Sequence, residues 1–124
     1  MPRNMSFALT TKQERARTKT VTRRMGWLNL KPGDVVQAVV KCQGLKKGEK
    51  IEKLVLIKIQ DTRREPLRRM LDDLDYGFAE TEREGFPQPH PWNWPSVFVD
   101  GFCKSHKGCT PDSDITRIEY VYAE

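Results

Sequence analysis

Two apolar runs in the middle of the chain constrain the fold more than any other feature. VVQAVVKC covers residues 35–42 and KLVLIKIQDTRRE covers residues 53–65. Both are rich in β-branched residues, which favour extended backbone. Between them, GLKKGEK (44–50) is charged and bounded by glycines, the composition of a hairpin tip. The sequence therefore predicts an antiparallel strand pair in the centre of the chain. Everything else must complete a sheet around it or cover its faces.

The flanking segments alternate short helices with short strands. MPRNM (1–5) reads as a polar tail, and Phe7 to Leu9 as a brief strand. Thr10 or Thr11 can N-cap a helix over KQERAR, with Glu14 three residues beyond Thr11 as in a capping box. LKPGD is a turn, because proline presets one dihedral and glycine accepts a positive φ. PLRRMLDDL (66–74) has proline at a first helical position and apolar residues at helical spacing. FAETEREG (78–85) is a second short helix, stopped by Gly85 and Pro87. QPHPWNWP carries too much proline for regular structure. SVFVDGFCKSH suits a helix, and ITRIEYVY alternates as a closing strand.

There is no internal repeat and no βαβ rhythm. With 124 residues, the expectation is a single domain of the α+β class, a small β-barrel with short flanking helices. No apolar run reaches the length of a membrane span and no signal-peptide pattern opens the chain, so a cytoplasmic protein is expected.

Charge is divided unevenly. Residues 1–69 carry 18 Lys and Arg against 6 Asp and Glu, and residues 70–124 carry 4 against 11, within a net charge of +5. A basic half favours a polyanionic partner, since each neutralised phosphate releases condensed counterions. Attraction between the two halves within the fold is the alternative.

The segment KTVTRR (19–24) concentrates polar chemistry. Read as a strand, it sets Lys19, Val21 and Arg23 on one face and Thr20, Thr22 and Arg24 on the other. That is a poor core strand. It suits either the edge of a polar pocket or a solvated edge whose cations discourage aggregation.

The order KTVTRRMGW, LKPGD, a strand pair, an EGF segment and a terminal TRIEY strand resembles the ASCH family of the PUA-like superfold. The likeness is strongest to its short stand-alone bacterial and phage forms. The resemblance implies a PUA-like β-barrel whose cleft, lined by the K-T-x-T-R residues, receives RNA or a modified nucleoside. One branch of that family hydrolyses N4-acetylcytidine. Position by position, its Lys, Thr and Glu triad falls on Lys19, Thr22 and Glu84, with Glu80 and Glu82 close by. Other members resemble ribonucleases or RNA binders.

Such a triad is chemically coherent. A threonine hydroxyl needs a neighbouring base to become a nucleophile. A lysine crowded by Arg23 and Arg24 and partly buried has a lowered pKa and can serve as that base. A structural Lys19–Glu84 ion pair is the alternative. The nucleic-acid-binding set expected on this reading is Lys19, Thr20, Arg23, Arg24, Trp27, Arg63 and Arg64. Trp27 can stack on a base or cap the barrel. Trp92 and Trp94 suit either a flap over the cleft or a plug at the barrel end. Lys46, Lys47 and Lys50, with Arg68 and Arg69, are phosphate contacts or solvated faces.

Cys42, Cys103 and Cys109 are odd in number and are expected as reduced thiols. Cys103-x2-His106-x2-Cys109 places three ligand types close together, but it lacks the two-by-two pairing of a zinc site. No metal or cofactor is expected.

Overall fold

The computed structural model describes residues 2–42 and 44–123. Five strands form one sheet: β1 (Asn4–Ser6), β2 (Val21–Arg24), β3 (Val35–Val39), β4 (Lys53–Pro66) and β5 (Asp114–Tyr122), in the order β1-β3-β4-β5-β2. β1 runs parallel to β3, and the other pairings are antiparallel. Four helices accompany them: α1 (Thr11–Ala16), α2 (Arg69–Asp72), α3 (Leu74–Arg83) and α4 (Pro95–Ser105).

The central hairpin is present, with β3 shorter than the run 35–42. Pairing slips between Ala38 and Val39, and Val40 N then donates to Glu52 O at 2.9 Å, so the connection begins earlier than the composition implied. β4 is the spine of the sheet. Its first half pairs with β3, its second half pairs with β5, and its register shifts between Ile59 and Asp61. Such a bulge bends the strand and increases its twist.

Alternation on β5 separates two cores, because successive side chains point to opposite faces. Ile118 and Tyr120 join Met5, Phe7, Val36, Val55, Ile57 and Ile59 on one face. Ile115 joins Leu67, Met70, Phe86, Phe98, Val99 and Phe102 under α2 and α4 on the other.

Three expectations are corrected. Residues 1–5 are not all tail: Asn4–Ser6 is a strand and Met5 is fully buried, while Ala8–Thr10 is a 3-10 turn where Phe7 to Leu9 was expected as a strand. The helix over 66–74 divides. Pro66 ends β4, and Asp73 takes an extended conformation and caps α3 through Tyr76 N at 3.1 Å, so α2 stays short.

The third correction concerns closure: the sheet is not a closed barrel. β1 and β2 stand at opposite edges and are not paired in the sheet. Phe7, just past β1, approaches β2 by side chain instead, with the Arg24 guanidinium 4.7 Å from its ring centre.

Candidate functional site

Lys19 is brought to its partners by its neighbour's backbone. Thr20 N donates to Arg83 O at 2.8 Å, and Thr20 O accepts from Tyr120 N at 3.0 Å, which ties the end of α3 to the start of β2. Glu84, the C-cap of α3, then meets Lys19. Lys19 Nζ donates to Glu84 Oε1 at 2.9 Å and to Glu84 O at 3.0 Å. Gly85 permits this close passage. Its φ is +101°, and a Cβ there would lie 2.8 Å from Gln13 Cγ. A side chain at that position would meet both backbone strain and α1.

Lys19, Thr22 and Arg23 are each at most 4% exposed, which decides against a solvated edge. Thr22 Oγ1 accepts from Arg24 Nε at 3.0 Å. Lys19 and Thr22 share no hydrogen bond among the described residues. Burial is the largest influence on the Lys19 ammonium and lowers its pKa, against the opposing pull of Glu84. Burial likewise lowers the pKa of Arg24, whose guanidinium forms no ion pair with a carboxylate among the described residues.

Arg23 is the centre of a buried charge network. Its guanidinium is shared by Glu80 at 2.6 Å, Glu65 at 3.2 Å, Glu84 at 3.4 Å and Tyr76 Oη at 3.2 Å. Glu80 also takes Arg83 at 2.7 Å and Arg117. Burial alone would raise the Glu80 pKa, but Arg117, Arg23 and Arg83 outweigh it and hold the carboxyl well below its usual range. This buried layer of alternating charge joins β2, β4, α3 and β5. It holds the Arg23 guanidinium among three carboxylates at the edge of a cavity that Arg23 also lines.

Lys19, Thr22, Arg23, Arg24 and Glu84 line a cavity of about 270 Å³ at the seam between the two edge strands. Aromatic side chains line the rest of it: Phe7 beside Lys19 and Arg24, and Phe86, Trp92, Phe98, Phe102 and His106. Phe98, Phe102 and His106 recur every four residues from α4, so they share one face. Trp92 packs edge-on against Phe98 with ring centres 5.8 Å apart. Gly101 makes room for it, since a Cβ there would lie 2.4 Å from Trp92 Cζ2.

The remaining expected residues are not brought to this cavity. Thr20 is exposed and contributes its backbone. Trp27 packs on the first core with Arg3 4.1 Å over its ring. Arg63 binds Glu65 at 2.7 Å and Tyr76 Oη at 2.7 Å, and Arg64 binds Thr116 Oγ1 at 2.8 Å. Arg68 pairs with Asp72 and Asp112, and Arg69 with Glu65. Arg68 is thus answered from the acidic half, as Lys19 and Arg23 are, while Glu65 of the basic half itself takes Arg63 and Arg69. Trp94 is 61% exposed and lies edge-on to Phe78. Among the described residues, no three His, Cys, Asp or Glu side chains form a metal-binding group. Nor is any helix long and apolar enough to cross a membrane.

The arrangement of sheet and helices is similar to that of two solved structures. One is an ASCH domain from Lactobacillus crispatus, with a TM-score of 0.61 at 12% identity over 96% of this chain and 77% of that one. The chain has an ASCH-like fold. The other is an Enterococcus faecalis protein described by the family model DUF984, with a TM-score of 0.60 at 13% identity over 99% of this chain and 80% of that one. At these identities the ASCH likeness is one of fold. No family model and no curated protein matches the sequence.

The aromatic wall of the ASCH-like fold here was not foreseen as a unit. Its one legible signal was the spacing of Phe98, Phe102 and His106. Phe86 and Trp92 reach the same wall from a proline-rich segment that carries no periodicity.

Proposed function

We propose that the cavity binds one nucleoside, either free or presented by an RNA strand. The observation that carries this reading is the division of one small cavity into a polar end and an aromatic wall. A flat heteroaromatic ring gains roughly 1–3 kcal/mol per stacked base on an aromatic side chain. Lys19 and Arg24 offer donors to the edge of such a ring, and Glu84 offers an acceptor. Ligand pockets commonly span about 300–1,000 Å³. A cavity of about 270 Å³ therefore suits a single base and excludes a duplex. Flanking phosphates would meet the exposed lysines of the hairpin, Lys46, Lys47 and Lys50.

Calorimetric titration with cytidine, N4-acetylcytidine and a short single-stranded RNA tests the proposal. Saturable binding of a nucleoside, lost in Lys19→Ala, is expected. Failure of all three to bind at millimolar concentration overturns it.

The lowered pKa of Lys19 favours a second reading, hydrolysis of an acylated pyrimidine nucleoside. Thr22 Oγ would bond to the acyl carbonyl carbon as its proton passes to Lys19 Nζ, with the oxyanion held by Arg24. The C–N bond then breaks as that proton reaches the departing nitrogen, and water cleaves the threonyl ester. The reaction requires Lys19 Nζ to swing from Glu84 to Thr22. Release of cytidine and acetate from N4-acetylcytidine, followed by chromatography, tests this reading. Shortening of the RNA instead would identify a ribonuclease.

A further inference from the structure

Beside the aromatic wall, the Sγ atoms of Cys103 and Cys109 lie 3.5 Å apart. Cys103 belongs to the last turn of α4, and Cys109 follows the turn that reverses the chain at Gly108. Both are free and partly exposed. Proton accounting orients the pair. Cys109 Sγ donates to Thr110 O at 3.7 Å, leaving its lone pairs to accept from Cys103. The residue midway between the two cysteines is His106, which lines the cavity. Its Nδ1 lies 2.8 Å from Phe102 O, and a carbonyl oxygen only accepts, so Nδ1 carries the proton and Nε2 is the ring's free position.

We propose that Cys103 and Cys109 form a redox-active dithiol that small disulfides oxidise to an intramolecular bridge, with His106 held in the loop the bridge closes. A bonded S–S distance is about 2.05 Å, so the sulfurs must approach by roughly 1.5 Å, within the range of a rotamer change and a small movement of the loop. Burial and the contact with Cys109 push the Cys103 thiol up to about 11, which disfavours Cys103 as the first attacker.

The Cys109 thiolate bonds to one sulfur of oxidised glutathione and expels one glutathione thiolate. Cys103, deprotonated in turn, bonds to Cys109 Sγ and expels the second glutathione. Two protein thiols are oxidised, one small disulfide is reduced to two thiols, and the two protein thiol protons pass to the expelled glutathione thiolates. The bridge draws residues 103–109 into a closed loop and moves His106 relative to Phe102, on which its ring now stacks at 4.2 Å. If the cavity binds a nucleoside as proposed above, that movement changes its affinity, but bridge formation itself does not depend on that reading.

Intact mass, thiol counting and the imidazole spectrum of the whole protein test the inference without any ligand. Treatment with oxidised glutathione should remove two of the three thiols with loss of two hydrogens and no retained glutathione. Peptide mapping should place the bridge at Cys103–Cys109, and Cys103→Ser should instead retain one glutathione on Cys109. NMR signals of the His106 ring should shift on oxidation while those of His90, the other histidine, stay in place. A persistent glutathione adduct on the unmodified chain, a bridge to Cys42, or His106 signals unmoved by bridging would each overturn it. Nucleoside titration of the reduced and bridged forms then reads the cavity separately. No binding by either form with the bridge intact would remove the nucleoside reading alone.

Discussion

Lys19 Nζ and Glu84 Oε1 lie 2.9 Å apart, joined across 65 positions of sequence and buried to within 4% of complete enclosure. Glu84 also receives Arg23 at its other oxygen at 3.4 Å. One carboxylate therefore links the cavity to the charge layer beneath it, and changes on either side should be felt on the other.

The cavity residues separate binding from catalysis. Thr22→Val should leave nucleoside affinity within about twofold, since the shape is kept and the Arg24 contact is local. It should abolish any deacylation, because no hydroxyl remains to attack. Lys19→Ala should weaken binding at least tenfold, about 1.4 kcal/mol, since an uncompensated Glu84 would remain in the site. Titration and product chromatography on the same preparations check both.

Glu80→Gln should be among the most damaging substitutions in the chain. It would leave Arg23 and Arg117, both buried, without their shared partner. Breaking a buried ion pair from one side costs about 3–5 kcal/mol, and urea denaturation should show a loss of that order. Arg83→Ala should cost far less, because Arg83 is half exposed and its partner keeps two other arginines.

Glu14 should make stability fall as pH rises. Its carboxyl is fully buried, and its Oε1 has no partner. Burial raises its pKa above 4.5 despite Tyr120, Lys19, Tyr122 and Arg24 nearby. Tyr120 Oη and Tyr122 Oη donate to Glu14 Oε2 at 2.7 and 3.2 Å. A group whose folded pKa is raised contributes stability that is full below the unfolded value and lost as pH passes the folded one. Melting temperature should therefore decline from about pH 5 upward, and Glu14→Gln should flatten that decline. An equal slope in both proteins would refute the assignment.

Gly101→Ala should disturb the aromatic wall. The added methyl meets the Trp92 ring at 2.4 Å, and overpacking of this kind costs about 1–3 kcal/mol. A changed Trp92 emission together with weaker nucleoside binding is the expected readout. Substitution of the exposed Trp94 by Phe should leave binding unchanged.

Local pattern carried much of the secondary structure. The central hairpin, the helix at Thr11, the terminal ITRIEYVY strand and the VTRR part of the expected KTVTRR strand all declare themselves within ten residues or so, because β-branching, capping and alternation act over that distance. The division of the helix at Asp73 and the early end of β3 were less legible. They depend on a cap and a register slip that compete closely with the alternatives.

What the chain's own order of residues determined was the set of elements, the concentration of polar chemistry in KTVTRR, and the uneven division of charge. It could not determine what answers that charge. Tertiary structure decided that Lys19, Arg23, Arg63, Arg68 and Arg69 are answered by carboxylates within the chain, while Arg24 faces the cavity without one among the described residues. It also decided that the seam between β1 and β2 stays open rather than closing a barrel. The physical reason is that pairing energies of buried charges depend on separations of a few ångströms between residues dozens of positions apart. Only the packed sheet and helices set those separations.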